Sequence, residues 1–376
     1  MSLKLNYDED IRMLRESAGG FFADAEPVKA LRRNRDARDF DAQARGVWQG
    51  MAELGLNGTL IPEQFGGAGL GFRASVQIAE MMGRSLAAAP FLSTAVMAAT
   101  AIRHGDNDQI KAKVLPKIAA GELLLSIAGE ERPRHQPLAI ETVARRAGNG
   151  YRISGRKTAV IDGNIAERFI VAARDAEAPD QLLLLLVDAQ SALVTASMGI
   201  DSQPLCDVEF RDAPASGEDL ICPPDQSAAL LDRIYDAGRV HLAAEMLGLA
   251  QEAFDRTVEY LKTRVQFGRK IGEFQALQHR AAILFGEIEI ARALLFKAAT
   301  LHDADDDRFP AFASLAKARV GEIAKHATAE ACHMHGGIGM TDDFDLGFYL
   351  KRARAAAERL GDTALHLERY AALHGI

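Results

Sequence analysis

The segment richest in chemistry is Arg264-Val265-Gln266-Phe267-Gly268-Arg269-Lys270-Ile271-Gly272-Glu273-Phe274-Gln275. It is a cationic, glycine-broken loop between two helical stretches. Arginine offers a planar fork that fits phosphate oxygens. Glycine lets the main chain approach a ligand closely, and a helix start near Gly272 favours an anion. The same residues also suit an interhelical loop with solvated basic side chains. A second feature is Glu245, a lone carboxylate in an apolar helical run of Val240, Leu242, Met246, Leu247 and Leu249. Buried carboxylates are rare without a partner or a role. Pairing with an arginine is the structural alternative.

Other motifs carry less. Gly66-Gly67-Ala68-Gly69-Leu70-Gly71 resembles a nucleotide loop, but Phe72 stands where GxGxxG needs its third glycine, and the block lies between helical segments. His333 and His335 flank no completing carboxylate, and contiguous Cys332 is poor geometry for a shared ion, so no metal is expected. No GxSxG is present to anchor a serine hydrolase.

The elements that must position these groups fall into three blocks. Residues 1–122 read as helical, with apolar residues at helical spacing over 40–54 and 74–102 and glycine turn signals between. Over 123–222 the segments shorten into strands, at 123–128, 142–147, 151–154, 169–173, 182–188, 193–196 and 206–210. Pro223-Pro224 then precede four long helices, at 226–263, 272–302, 308–335 and 345–372. About 100 residues of strand without interleaved helices are not a doubly wound sheet. The fold class is therefore α+β: an N-terminal helical domain (1–122), a middle antiparallel β-domain (123–222) and a C-terminal four-helix bundle (223–376).

Composition bounds the function. The 376 residues are 48% hydrophobic and 26% charged, average for a globular chain. With 44 basic and 52 acidic residues the net charge is −8, which speaks against broad nucleic-acid binding. Three separated cysteines give no disulfide framework and suit a reducing compartment. The start shows no apolar signal region, and the longest aliphatic run is far short of a membrane span. A cytoplasmic protein is expected.

Three blocks, in order, resemble the acyl-CoA dehydrogenase family. The loop from Arg264 to Gln275 is similar to its R-x-x-F-G-x-x-I-x-x-F-Q signature. Ile61 to Leu70 resembles its P-E-x-x-G-G-x-G-L block, and His335-Gly336-Gly337-Ile338-Gly339 its H-G-G-x-G block. Tyr349 to Arg352 and Leu360-Gly361-Asp362-Thr363 look like the pimeloyl-CoA dehydrogenase small-subunit-like branch.

The resemblance implies FAD, an acyl-CoA substrate, proton abstraction at Cα, hydride transfer from Cβ to flavin N5, and an electron-transfer flavoprotein as acceptor. It implies an oligomer, homo- or heteromeric, built as a dimer of dimers. By similarity Arg264, Gln266, Phe267 and Gln275 contact FAD from a neighbouring subunit, and His333, Gly336 and Gly337 cover its adenosine. Gly129, Ile161 and Thr363 fall at flavin-side positions, Gly129 and Ile161 where hydroxyl residues are common. Tyr235, Asp236 and Arg239 match a substrate-binding cluster.

The departure is the base. The family's usual glutamate position is Gly361, and the alternative position, just before Arg239, is Gly238. Two replacements are within reach. Glu245 lies seven residues beyond Gly238, about 20° away in direction and about 10 Å along the helix. Asp362 adjoins the usual position, though its shorter side chain starts one residue away and a turn or capping role beside Gly361 suits it better. Small residues at 238 and 361 leave room for a bulky acyl chain. The competing readings are a non-catalytic, FAD-sharing chain of an α2β2 dehydrogenase, or another flavin oxidase or monooxygenase on the same fold.

Overall fold

The computed structural model describes residues 8–37 and 41–376; the predicted helical start at Phe40 lies outside them. Helices α1 (Glu9–Asp24), α2 (Pro27–Ala37), α3 (Asp41–Glu53), α4 (Phe72–Ser85), α5 (Ala99–His104) and α6 (Asp108–Ala119) come first. Strands β1 (Leu125–Ala128), β2 (Val143–Ala147), β3 (Gly150–Val160), β4 (Arg168–Asp175), β5 (Leu182–Asp188), β6 (Ala192–Met198) and β7 (Pro204–Ser216) follow. Then come α7 (Pro224–Thr263), the short strands β8 (Val265–Gln266) and β9 (Arg269–Lys270), α8 (Gln275–Asp303), α9 (Phe309–His335), α10 (Leu346–Glu358) and α11 (Thr363–Leu373). The order helical, β, helical is the expected one. No helix among the described residues is long and apolar enough to cross a membrane.

The described residues divide into two compact units, one within 8–33, 72–87 and 239–376, the other within 34–37, 41–71 and 88–238. In the second, seven strands form one sheet around Phe169 and Phe210, whose rings meet edge-on at 6.0 Å. The run Leu182 to Val187 is buried on both faces, which is why it reads as continuous leucine and not as an alternating strand. Most pairings are antiparallel, as expected. Two parallel ones, β1 with β4 and β2 with β4, make the sheet mixed. The connection from 129 to 167 is long enough to bring the chain back in the same direction, which a hairpin cannot do.

The stretch 74–102 is not one helix. It breaks after Ser85, where Leu86 takes φ +60°, and resumes at Pro90 as a π-helical segment, Phe91–Ala98. The wider turn lets Thr94 exchange two hydrogen bonds with Leu125 of β1: its hydroxyl donates to the carbonyl at 2.8 Å and accepts from the N–H at 3.1 Å.

In the first unit α9 packs against α8, α10 and α11. Helix α4 lies close against α7 because both carry glycine at the crossing. A Cβ on Gly83 would come within 2.0 Å of the Glu245 carbonyl oxygen, and one on Gly248 within 2.0 Å of that of Glu80. The predicted helix 345–372 is two helices. Leu360 and Gly361 adopt φ +55° and +104°, which ends α10, and Asp362 starts α11.

Candidate functional site

The sheet unit holds the first group. Strand β1 ends at Ala128, and Gly129 follows it, buried. Tyr235 of α7 leaves no space for a side chain there: a Cβ on Gly129 would lie 2.2 Å from the Tyr235 hydroxyl. Tyr235 is 1% exposed and meets His135 edge-on at 5.1 Å. His135 Nδ1 is 2.5 Å from a Glu130 carboxylate oxygen, and both side chains are largely buried. Ser126 donates its hydroxyl to the carbonyl of Ile161, which ties β1 to the turn after β3. Ile161 is half-buried, between the left-handed residues Ala159 and Asp162. The structure thus brings Gly129 and Tyr235 together. The His135–Glu130 pair beside them escaped sequence reading, because four residues of a charged loop separate the partners.

Asp236 and Arg239 lie on α7, 2% and 1% exposed. Ionisable side chains buried this deeply on an apolar helix are unusual.

The helical unit holds the rest. Glu245 is matched by Arg352 of α10, whose Nε donates to it at 2.5 Å. That is the structural alternative noted above, and it leaves the carboxylate engaged. Asp362 is likewise occupied: its side chain accepts from the N–H of Leu365 at 2.9 Å and caps α11. Thr363 is the first residue of that helix.

Arg264 to Lys270 form a small hairpin, closed by pairing of Val265 with Lys270 and of Gln266 with Arg269. Phe267 at its tip has φ +54° and is 90% exposed. Arg269 stacks over Phe274 at 4.1 Å, which props the hairpin against the start of α8. Arg264, Gln266 and Gln275 are exposed.

Helix α9 ends at His335, and Gly336, with φ +65°, turns the chain away. Gly336 and Gly337 are exposed, and a Cβ on either would meet nothing within 4 Å. His333 is exposed, and Arg280 Nη2 lies 2.8 Å from its Nδ1. His335 is buried, stacked on Tyr260 at 4.2 Å, and burial moves its pKa down.

These residues fit an FAD diphosphate and adenosine by chemistry: exposed cations on one hairpin and bare main chain at Gly336-Gly337. The structure also reveals Lys317, 2% exposed on α9, which no motif marked. Its Nζ donates to the carbonyls of Ala357 at 2.7 Å and Gly361 at 2.9 Å. Burial brings its pKa down to about 7. A lysine amid Ala313, Ala316, Ala318 and Val320 was the available signal.

Residues 8–122 match "Acyl-CoA dehydrogenase, N-terminal domain" and 230–373 match "Acyl-CoA dehydrogenase, C-terminal domain". The acyl-CoA dehydrogenase IpdE2 of Mycolicibacterium smegmatis is 30% identical over 366 residues, 96% of this chain and 97% of that protein. The solved steroid ACAD Tcur3481-Tcur3483, a glycine-to-alanine variant, superposes with a TM-score of 0.87 at 29% identity, covering 98% of each chain. The ChsE4-ChsE5 complex from Mycobacterium tuberculosis shares the fold, with a TM-score of 0.86 at 24% identity over 99% of each chain.

Proposed function

Because this chain belongs to the acyl-CoA dehydrogenase family, we propose that it takes part in α,β-dehydrogenation of an acyl-CoA thioester as the FAD-sharing chain of a heteromeric enzyme. The cofactor is FAD. In this reading the catalytic carboxylate comes from a homologous partner chain. The α-proton leaves to that carboxylate, the β-hydride leaves with its electron pair, and a Cα–Cβ double bond forms. Bound FAD supplies the acceptor for the hydride, and an electron-transfer flavoprotein then takes the electrons.

One observation carries the reading. At the family's base position Gly361 has φ +104°, and a Cβ there would meet His366 Nε2 at 2.7 Å. The turn is shaped for glycine, and the two nearest candidates, Asp362 and Glu245, have structural partners. The exposed Phe267 and Arg264 supply the surface for a second chain and its shared FAD. Tyr235, Asp236 and Arg239 serve the acyl-CoA. A two-chain precedent of the same fold exists in ChsE4-ChsE5.

The test is anaerobic flavin bleaching by a panel of straight, dicarboxylic and ring-bearing acyl-CoAs. The chain is assayed alone and co-purified with a homologous chain that carries the family glutamate. Bleaching only with the partner is expected. Full bleaching by the chain alone overturns the heteromeric reading and returns Glu245 and Asp362 as bases. Oxygen consumption coupled to substrate loss would point to oxidase or monooxygenase chemistry.

A further inference from the structure

We propose that one face of the β2–β3 hairpin is a docking surface for an acidic segment of a partner protein, gripped by Arg145, Arg152 and Arg174. The inference stands apart from the acyl-CoA reading and rests on the sheet unit alone.

The hairpin, residues 143–156, carries four arginines and no carboxylate, in a chain whose net charge is −8. Its strands pair antiparallel with Arg145 directly opposite Arg152. Side chains opposed in this way leave the same face about 5 Å apart at Cβ, and like charges there repel. Arg174 of β4 lies beside Val143 in the parallel pairing, so it joins that face one row away. Little in the fold neutralises the three. Arg145 is exposed and, among the described residues, has no ion-pair partner. Arg152 meets the Asp212 carboxylate only at 3.9 Å and donates instead to the Asp212 carbonyl at 3.2 Å. Arg174 donates to the carbonyls of Asp180 at 3.2 Å and Leu138 at 2.9 Å. On β7 the residue beside Arg152 is Pro214, which brings no charge. The same face shows the contrast. Further along β3, Arg156 lies opposite Glu209 and pairs with Asp207 at 2.6 Å. That cation is matched within the sheet, while those at 145, 152 and 174 are left for an anion from outside.

Charge and shape decide the occupant. Guanidinium forks pair bidentately with carboxylates. The Arg152 side chain is 48% exposed, so each ion pair on this face is screened by solvent and contributes little alone. Several carboxylates on one segment add such pairs together, which a lone small anion cannot do. A long polyanion such as nucleic acid would meet the repulsion of the rest of this acidic chain. A short acidic segment reaches the arginines without that cost.

The experiment titrates a dye-labelled hexaglutamate peptide with the full chain and reads fluorescence anisotropy. Binding is expected at about 20 mM salt and should weaken about ten-fold by about 200 mM. The double variant Arg145→Ser/Arg152→Ser is expected to weaken it about ten-fold, and Arg156→Ser to leave it within about two-fold. Arg145→Glu sets opposite charges across the strands, so it should abolish binding while Tm holds or rises. That separates loss of the surface from loss of the fold. A marked fall in Tm for Arg145→Glu would show that Arg145 is matched within the fold, and would overturn the proposal. So would a wild type that does not bind the peptide, or a double variant that binds it equally. A thymidine dodecamer held more tightly through the same arginines would make the face a nucleic-acid site instead. Competition by inorganic phosphate at about 1 mM would make it a small-anion site, and either result overturns the acidic-segment reading.

Discussion

Arg352 Nε and Glu245 Oε1 lie 2.5 Å apart, with side chains 16% and 14% exposed. Breaking one side of so enclosed a pair leaves a charge without its counterion. Glu245→Gln is expected to lower unfolding free energy by about 1–3 kcal/mol. The double variant Glu245→Gln/Arg352→Met should recover part of that loss. Flavin reduction by acyl-CoA in the assembled enzyme should stay within about three-fold of wild type. Chemical denaturation reads the first two outcomes and anaerobic stopped flow the third. A hundred-fold fall in reduction rate with intact stability would make Glu245 the base.

Gly361 gives a second test. Alanine there meets a φ of +104° and a Cβ contact of 2.7 Å with His366. The left-handed backbone alone costs about 1–3 kcal/mol for a residue with a side chain. Gly361→Ala should therefore lower Tm, and Gly361→Glu should lower it further without giving the lone chain the power to bleach flavin. Recovery of bleaching by Gly361→Glu alone would show that the turn tolerates the family's residue after all.

The three-block order was legible because periodicity and turn residues are local properties. Two features were not. The break at Leu360 to Asp362 lies in a segment whose apolar spacing continues across it, and only the Gly-Asp pair marked it. The mixed sheet depends on β4 pairing parallel with β1 and β2 and antiparallel with β5, through register that no single strand encodes. The motif residues, Arg264 and Gly336 among them, were legible because a fixed spacing of basic and glycine residues lies within one local segment. The partners of Lys317 and of the His135–Glu130 pair were hidden for the opposite reason, although the apolar surroundings of Lys317 mark that lysine as unusual. Their partners are main-chain carbonyls in another helix and in the turn that follows it, or a carboxylate across a loop, and neither has a sequence signature.

Gly129 and Tyr235 form a third testable pair. The Tyr235 hydroxyl occupies the space a side chain at 129 would need, at 2.2 Å from its Cβ. Gly129→Ser restores a hydroxyl where the family commonly has one, yet it is expected to weaken acyl-CoA binding about ten-fold by displacing Tyr235. In a Tyr235→Phe background the same change should cost about three-fold or less, because the clashing oxygen is gone. Calorimetry on the four proteins of the cycle gives the coupling. Additive effects would mean that the ring moves aside freely.

Lys317 makes stability depend on pH with a definite sign. Its pKa falls from 10.5 in the unfolded chain to about 7 in the fold, chiefly by burial and partly offset by attraction from Glu358. Between those values the unfolded chain binds more protons than the folded one, so stability rises with pH through that window. Below about pH 7 the folded lysine is charged and the full penalty is present. Above about 10.5 both states are neutral and it is gone. The difference in unfolding free energy between wild type and Lys317→Met should therefore shift in favour of wild type by about 3–5 kcal/mol from pH 7 to pH 10.5. Urea titrations of both proteins across that range measure it, and subtraction removes every other titrating group. A pH-independent difference would mean that the lysine keeps an ordinary pKa and that its two carbonyl partners stabilise the ammonium fully.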